Sequence, residues 1–229
     1  MFERQREGDT AILSVDDAFV AALDDADLPG HGRRVRVSGT ELGAFERAFE
    51  ASRLRGPHNR ANAACAIAVV RALGADEAGA AEALRDFDMP PHRLEQVREL
   101  RGVRYVNDSK ATNVEATLQA LASFDEPLHV ILGGSLKGAD FSPLATPLAR
   151  SASAAYLIGE AAPDLRRAFS GRGIELVDSG TLERALRIAA SVAGEGDVVL
   201  LSPACASYDQ FRDYEERGER FRALVGALS

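Results

Sequence analysis

The fold is decided by the stretch Val103-Arg104-Tyr105-Val106-Asn107-Asp108-Ser109-Lys110-Ala111-Thr112-Asn113. It begins with an apolar, β-rich run, Val103–Val106, and passes through a short polar loop into a helical pattern over Val114–Ser123. A second apolar run, His129–Leu132, follows. This order predicts a strand, a helix and a parallel strand, and in such units ligands bind where the strands end.

The same alternation continues to the end of the chain. Further strands are predicted over Ala154–Ile158, Ile174–Val177 and Val198–Leu201. Further helices are predicted over Ala161–Phe169, Leu182–Val192 and Gln210–Leu228. Strands that alternate with helices indicate a parallel sheet with helices on both faces. We therefore expect residues 89–229 to form a doubly wound, Rossmann-like α/β domain.

Residues 1–88 carry a less complete pattern. The predicted elements are a strand over Thr10–Val15, a helix from Asp16-Asp17, a strand over Arg34–Val37, and helices over about Asn59–Leu73 and Glu77–Arg85. The segment Asp88-Met89-Pro90-Pro91 breaks the pattern where a linker between domains would lie. Two strands cannot close the core of an α/β domain, so either residues 1–88 pack on the second domain or the chain lacks the beginning of the first.

The composition excludes several classes of protein. A net charge of −8 and a pI of about 5.1 would repel a phosphodiester backbone, so no nucleic-acid partner is expected. Cys65 and Cys205 are too few for a disulfide framework and lack metal-ligand spacing, so we expect reduced thiols in the core. The longest apolar run, Ala63–Val70, is far shorter than the ~20 residues of a membrane helix, so no membrane partner is expected. We expect a cytoplasmic, monomeric, enzyme-like protein.

Lysine is almost absent from this chain. Of the 27 basic residues, only Lys110 and Lys137 are lysine, and the rest are arginine. Lysine is a compact point charge and arginine a wide planar fork, so an arginine-biased chain can keep lysine where a single oxygen must be met. The same bias could also leave two lysines at random positions.

Both lysines lie in loops that follow predicted strands. The segment Asp108–Asn113 brings a carboxylate, hydroxyls, the Lys110 ammonium and free N–H groups to the start of a helix, where an anion binds well. A helix-capping cluster would explain the other polar residues of this segment but not the lysine. Lys137 lies in Gly133-Gly134-Ser135-Leu136-Lys137-Gly138, which is similar to a phosphate-binding loop but lacks the P-loop spacing.

Two segments near the proposed linker carry candidate nucleotide ligands. In Gly56-Pro57-His58-Asn59-Arg60-Ala61-Asn62, a turn leads into a helix and places the amides of Asn59 and Asn62 on one face of its first turn. Such amides can read an adenine edge because each offers a donor and an acceptor, although Asn59 could instead be only an N-cap. In His92-Arg93-Leu94-Glu95, Arg93 could reach a phosphate or lie unused at the surface.

The segment Ser202-Pro203-Ala204-Cys205-Ala206-Ser207-Tyr208-Asp209-Gln210-Phe211 again passes from a strand into a helix. It predicts a third pocket of small residues at the same edge of the sheet. Cys205 could act as a nucleophile, but no histidine follows it in the chain to serve as its base. A thiol that only packs in the core is the favoured interpretation.

Five motifs, in their order along the chain, closely resemble those of the Mur ligase family. They are Gly-x-His-Asn-x-x-Asn from Gly56, His-Arg-x-Glu from His92, Asn-Asp-Ser-Lys-Ala-Thr-Asn from Asn107, Gly-Gly-x-x-Lys-Gly-x-Asp-Phe from Gly133 and Ser-Pro-Ala-Cys-Ala-Ser-x-Asp-x-Phe from Ser202. The first two are shared with other Mur ligases and folylpolyglutamate synthase. The third and fifth resemble the member of the family that adds D-glutamate.

The resemblance implies an ATP-dependent ligase of peptidoglycan synthesis. Such an enzyme joins D-glutamate to UDP-N-acetylmuramoyl-L-alanine through an acyl phosphate, with Mg²⁺ between the phosphates of ATP. Carried over by motif, the nucleotide-binding residues are Asn59 and Asn62 at the adenine and Arg93 and Asp108 at the ribose and phosphates. By the same resemblance, Lys110 is implied to be the catalytic residue, at the transferring phosphoryl group or its product. The D-glutamate pocket is implied to consist of Lys110, Thr112, Lys137, Ser207 and Tyr214, the last in place of an expected phenylalanine.

Parts of the family pattern are missing from this sequence. No Gly-x-x-Gly-Lys-Ser/Thr loop occurs in it, and the expected magnesium ligands would lie upstream of Met1. The chain is therefore expected to comprise the remnant of a P-loop-type central ATPase domain, residues 1–88, and the whole amino-acid-binding domain, residues 89–229. We expect no ligation by this chain alone. The alternatives are an independent module that binds D-glutamate or a partner, and a ligase of a sister Mur or folylpolyglutamate specificity.

Overall fold

The computed structural model describes residues 2–25, 28–136 and 138–229. The chain divides into two compact units, Met1–Asp88 and Met89–Ser229. The division lies within the Asp88-Met89-Pro90-Pro91 segment, where the two prolines interrupt regular structure.

The first unit is built on a two-stranded parallel sheet. Its elements are β1 (Thr10–Ser14), α1 (Ala18–Ala21), β2 (Arg33–Val37), α2 (Glu46–Ala51), α3 (Pro57–Ala72) and α4 (Glu77–Arg85). Helix α3 packs against both strands and buries small and apolar side chains, among them Ala64, Ile67 and Ala68. Its first residue is Pro57, whose fixed φ suits the first helical turn.

The second unit is a six-stranded sheet with helices between its strands. Its elements are β3 (Glu95–Leu100), β4 (Val103–Asn107), α5 (Val114–Leu121), β5 (Leu128–Gly133), α6 (Ala145–Ser151), β6 (Ala152–Ile158), α7 (Ala162–Phe169), β7 (Leu176–Gly180), α8 (Leu182–Val192), β8 (Val198–Leu201) and α9 (Tyr214–Gly226). The strand order is β3-β4-β8-β5-β6-β7. Every neighbouring pair is parallel except β3 and β4.

Both faces of this sheet are covered. In β5, Val130 and Leu132 join the core beneath α5, α6 and α7, whereas Ile131 joins the core beneath α8 and α9. Because strands buried on both faces need no polar face, the central strands are continuous apolar runs, as the sequence analysis assumed. This arrangement confirms the predicted doubly wound α/β fold. None of the helices in the described part of the chain has the length and apolar character needed to cross a lipid bilayer.

The sequence analysis missed strand β3 and two short helices, α2 and α6. Strand β3 is a half-exposed edge strand that carries Glu95, Arg98 and Glu99, so its apolar pattern is weak. It pairs antiparallel with β4 through the turn at Arg101-Gly102, and the sheet is therefore mixed rather than wholly parallel.

Two predicted boundaries were wrong. The strand predicted over Ile174–Val177 runs from Leu176 to Gly180, because an edge strand can continue through polar residues such as Asp178. The helix predicted over Gln210–Leu228 begins only at Tyr214. Asp213 is extended and its carboxylate accepts a hydrogen bond from the backbone N–H of Glu216, which makes it the N-cap.

The order of the strands brings distant loops together. The chain passes from β4 through α5 to β5 and leaves a gap between these two strands, which β8 later fills. In the register, Leu201 pairs with Asn107 on one side and with Ile131 on the other. The loops that follow β4, β8 and β5 therefore emerge side by side at a topological switch point, where ligands of doubly wound sheets bind.

We expect Gly218→Ala to destabilise the second unit by about 1–3 kcal/mol, because overpacking a filled core forces its neighbours to move. A Cβ at Gly218 in α9 would lie 2.1 Å from Nδ1 of the buried His92 ring. Urea unfolding of the two proteins measures the difference.

The matched control is Gly226→Ala in the same helix, where a Cβ would have no heavy atom within 4 Å. Alanine has the higher helix propensity, so this variant should be neutral or slightly more stable. Equal unfolding midpoints for both variants would contradict the packing argument.

We also expect residues 89–229 to fold alone, because this unit contains a sheet covered on both faces, whereas the first unit has two strands. Limited proteolysis of the chain should cut near Asp88 and leave the second unit intact. A protected fragment of residues 1–88 with the remainder degraded would show the opposite order of stability.

Candidate functional site

The candidate site lies at the carboxyl ends of β4, β8 and β5. It is formed by the loop after Asn107, the loop over residues 202–209 and the Gly133-Gly134-Ser135 turn. Backbone hydrogen bonds join these segments directly: Asp108 N–H donates to the Leu201 carbonyl at 2.8 Å, and Ser135 N–H donates to the Ala206 carbonyl at 2.9 Å. Three segments separated in sequence thus form one surface.

A buried arginine lies beneath this surface. Arg217, in α9, is 1% exposed and makes five hydrogen bonds to two of the loops. Its Nε donates to the Ser109 hydroxyl at 2.9 Å, and one terminal nitrogen donates to the Ser109 carbonyl at 2.8 Å. The other bonds go to the carbonyls of Cys205 and Ala206 at 3.1–3.3 Å.

The Arg217 guanidinium stays charged although it is buried. Loss of hydration lowers its pKa to about 10, while the nearby Cys205 thiol, Asp209 and Asp108 oppose this effect. The group is therefore protonated at neutral pH. A buried cation without hydrogen-bond partners is very costly, so the carbonyls that it binds must stay in place.

The sequence analysis did not identify Arg217 as part of the site. A signal was present, because the buried residues of α9 are Arg217, Gly218, Phe221 and Val225. Residues 217, 221 and 225 are spaced four apart and form one stripe of the helix. A charged residue within an apolar stripe indicates a specific buried partner.

Asp108, predicted to bind nucleotide, is also buried. One carboxylate oxygen accepts the Ser202 hydroxyl at 2.8 Å and the other accepts the Leu94 N–H at 3.2 Å. Burial raises the pKa of Asp108 to about 7, against the lowering effects of these bonds and of the Arg93 and Arg217 charges. At neutral pH the site therefore contains a carboxyl group that can hold or release a proton.

The His92-Arg93-Leu94-Glu95 motif forms a tight turn beside Asp108. His92 and Leu94 have φ values of +62° and +44°. The buried His92 ring accepts a hydrogen bond at Nδ1 from the Asn107 side chain at 3.0 Å, and Glu95 accepts the His92 N–H. The Arg93 side chain is exposed, and its charge acts on Asp108. The turn thus places Arg93 near the site, although its phosphate-binding role stays a prediction.

Lys110 and Tyr214 lie together at the mouth of the site. The Nζ atom of Lys110 is 5.6 Å from the centre of the Tyr214 ring. The Ser109 hydroxyl donates to the Tyr214 carbonyl at 2.8 Å, which ties the start of α9 to the loop after β4. A hydrogen bond with Glu215 raises the pKa of the Tyr214 phenol.

The other predicted D-glutamate residues fall in the same loops. Thr112 is half-buried in the loop after β4, and its N–H donates to the Lys110 carbonyl at 2.9 Å. Ser207 is buried in the loop after β8, and its carbonyl accepts the Gln210 and Phe211 N–H groups. Lys137 lies outside the described residues. The structure therefore brings Lys110, Ser207 and Tyr214 to one edge, and their ligand roles stay predictions.

Close packing requires the two glycines at the end of β5. Gly133 and Gly134 have φ values of +125° and +143°. A Cβ would lie 2.0 Å from the Ile158 carbonyl oxygen at Gly133 and 2.1 Å from the Ala206 carbonyl oxygen at Gly134. This close approach explains the glycine pair without a bound phosphate.

Asp209, in the loop after β8, forms hydrogen bonds to the Gly133-Gly134-Ser135 turn and to the loop after β6. Its N–H donates to the Ser135 hydroxyl at 2.9 Å, and its carboxylate accepts the Glu160 N–H at 3.0 Å. Three loops are therefore held by one side chain and its own backbone.

Neither cysteine has the character of a nucleophile. Burial raises the pKa of Cys205 to about 12, so its thiol is protonated at neutral pH. Burial also raises the pKa of the half-buried Cys65. Both are free thiols, but only Cys205 lies in the core, so the expected core position is wrong for the half-buried Cys65.

The predicted adenine ligands, Asn59 and Asn62, lie in the first unit. Asn59 is not an N-cap, because Gly56 occupies that position. It is buried and its amide donates to the Arg55 carbonyl at 2.7 Å, whereas Asn62 is exposed. Among the described residues, no group of three or more His, Cys, Asp and Glu side chains could hold a metal ion.

Residues 92–205, which include most of this site, match the family model of the Mur ligase glutamate ligase domain. This chain carries the C-terminal domain of a Mur ligase. The match begins at the His92 turn and ends at the Cys205 carbonyl that Arg217 binds. The resemblance inferred from the motifs is thereby confirmed.

The Mur ligase domain has close relatives among curated proteins. The chain is 44% identical over 216 residues to a protein of Ralstonia nicotianae named UDP-N-acetylmuramoylalanine--D-glutamate ligase, covering 92% of this chain and 43% of the relative. It is 49% identical over 176 residues to a Burkholderia mallei protein of the same name, covering 77% of this chain and 35% of the relative. The chain thus spans less than half the length of these relatives.

A solved structure supports the fold. The UDP-N-acetylmuramate-alanine ligase MurC of Thermotoga maritima matches with a TM-score of 0.59 at 18% identity, over 77% of this chain and 39% of that chain. At 18% sequence identity, this structural similarity is evidence for a shared fold and for no shared function.

The raised pKa of Asp108 predicts how stability depends on pH. The folded-state pKa of about 7 lies above the ordinary value of 3.8, so the folded protein binds this proton more tightly than the unfolded chain. The contribution of Asp108 to stability is fully present below pH 4 and is lost as the pH rises to 7, by at most roughly 1.4 kcal/mol per pH unit. Asp108→Asn should remove this loss.

Urea unfolding between pH 4 and 7 measures the effect as the difference between wild type and variant. The control is Asp125→Asn, an exposed carboxylate that loses little hydration on folding. A difference between wild type and Asp108→Asn that is independent of pH would show that Asp108 is ionised throughout this range.

Proposed function

We propose that this chain is the C-terminal part of a UDP-N-acetylmuramoylalanine--D-glutamate ligase and that its strand-end site binds D-glutamate. The main observation that supports this proposal is that Arg217 joins the loop of Lys110 to the loop of Ser207 by five hydrogen bonds. The names of the relatives at 44% and 49% identity support the same choice of substrate. Because the chain spans under half of each relative, the ligation itself belongs to a longer protein.

The chemistry of the site suits a small dicarboxylate. D-glutamate has two carboxylates, which need cations and hydroxyl donors as partners. The Lys110 ammonium is exposed at the mouth of the site, and the loops supply Thr112 and Ser207. We include the Lys137 ammonium as a second cation only because of its sequence motif.

We assign residues 1–88 to the end of a central ATP-binding domain. On this assignment, the face of α3 that begins with Asn59 and Asn62 binds adenine, and only Asn62 offers an exposed amide. Arg93 and Asp108 would lie at the ribose and phosphates. The exposed position of Arg93 at the turn before β3 supports this role, whereas Asp108, at the end of β4, is buried and both of its carboxylate oxygens accept hydrogen bonds within the chain.

ATP, when bound, supplies the phosphoryl group that activates the carboxylate of the acceptor. This chain orients the incoming amino acid by its carboxylates, so that the amine faces the activated carbonyl carbon. Lys110 balances the negative charge that develops there, and preorganised charges of this kind provide much of the rate in phosphoryl and acyl transfer. The described residues offer no cluster of side chains that could hold Mg²⁺.

A chimera tests the proposal. The portion of the Ralstonia nicotianae ligase that this chain does not match is joined to the present chain, and ADP release is measured with UDP-N-acetylmuramoyl-L-alanine and D-glutamate. We expect ligation by the chimera, a strong preference for D-glutamate over L-glutamate, and none by the chain alone. A folded chimera that ligates another amino acid in preference would contradict the choice of D-glutamate.

In the same chimera we expect Lys110→Arg to cost about 2–4 kcal/mol of transition-state stabilisation, or roughly 30- to 1000-fold in kcat/KM. The charge is retained, but the planar fork is too wide for a position that meets one oxygen. The matched control is Arg187→Lys on the exposed side of α8, which should leave the rate unchanged. Wild-type turnover in Lys110→Arg would show that Lys110 does not contact the reacting groups.

A further inference from the structure

The Lys110 ammonium lies against an aromatic ring. Lys110 takes part in no ion pair among the described residues, and its Nζ atom lies over the ring of Tyr214, 5.6 Å from the ring centre. An aromatic face attracts a cation through its quadrupole. The ring therefore restrains a side chain that would otherwise sample many rotamers.

The Tyr214 ring is itself held in place. The Ser109 hydroxyl donates to the Tyr214 carbonyl at 2.8 Å, and Arg217 Nε donates to that same hydroxyl at 2.9 Å. The Tyr214 ring also meets the buried His92 ring in an edge-to-face arrangement, with the ring centres 6.2 Å apart. The buried Arg217 thus fixes both the residue before Lys110 and the residue whose ring receives its ammonium.

We propose that Tyr214 is a positioning residue, whose ring face holds the Lys110 ammonium at the mouth of the strand-end site. The inference rests on the proposed function only for the identity of the ligand. A cation over a ring keeps N–H groups free on the side away from the ring, and these can meet a carboxylate. The Lys110 side chain then loses its conformational entropy when the chain folds, so ligand binding does not have to order it again.

The phenol oxygen takes no part in this role. Its hydrogen bond is made with Glu215, whereas the cation meets the ring face. Tyr214→Phe should therefore keep Lys110 in place, and Tyr214→Leu should release it. A residue that acted through its hydroxyl would give the opposite result for phenylalanine.

The scarcity of lysine makes a direct test possible. Growth with ¹³C-lysine gives side-chain signals from two residues only, and Lys110→Arg identifies the signal of Lys110. In wild type and Tyr214→Phe we expect an upfield ring-current shift of the Lys110 ε-CH₂ protons and NOEs from them to the ring of residue 214. In Tyr214→Leu the shift should disappear. The NOEs in the wild-type chain decide the proposal even if the leucine variant fails to fold.

Titration with D-glutamate separates this proposal from the proposed function. We expect the Lys110 signal to move in wild type and Tyr214→Phe, and the affinity to be about 2- to 5-fold lower in Tyr214→Leu. An unshifted Lys110 signal without NOEs to the ring, or equal affinity in the leucine variant, would overturn the positioning role. Ring-shifted signals that do not respond to D-glutamate would uphold the role of Tyr214 and reject D-glutamate as the ligand.

Discussion

The burial of the Arg217 guanidinium is the constraint on which the candidate site depends. Removing such a charge from water costs several kcal/mol unless every donor is satisfied. The donors of Arg217 bind Ser109, Cys205 and Ala206, which come from two loops about a hundred residues apart. Neither loop can move away without exposing an unpaired buried charge. A buried charge of this kind is weak evidence for high stability, but it is a strong reason for a single loop geometry.

The same geometry gives the strand ends a charge different from that of the whole chain. The protein carries a net charge of −8, yet this edge holds three cations, Lys110, Arg93 and the buried Arg217, beside the carboxyl group of Asp209. Asp108 lies among them, and its burial brings its pKa to about 7. The positive charges at this edge suit an anionic ligand.

The sequence alone determined the fold class of residues 89–229 and the position of the boundary at Asp88. Five apolar runs of strand length, separated by helical patterns, leave few arrangements other than a sheet covered on both faces. The motifs also determined the family, because His-Arg-x-Glu, Asp-Ser-Lys-Ala-Thr-Asn and Ser-Pro-Ala-Cys-Ala-Ser occur together and in order. Strand β3 was not predicted, because this half-exposed edge strand carries Glu95, Arg98 and Glu99 and so has no strong apolar periodicity.

Only the tertiary structure decided which of the candidate residues lie together. The insertion of β8 between β4 and β5 brings the Cys205 loop beside Lys110, and no local pattern encodes that strand order. It also decided that Arg217 is buried, that Asn59 binds its own chain at Arg55 rather than capping α3, and that the Gly133-Gly134 pair serves close packing. Propensities and capping preferences act over a few residues and can be read from sequence. Burial of a charge and its effect on a pKa depend on residues about a hundred positions away, which meet only once the sheet has formed.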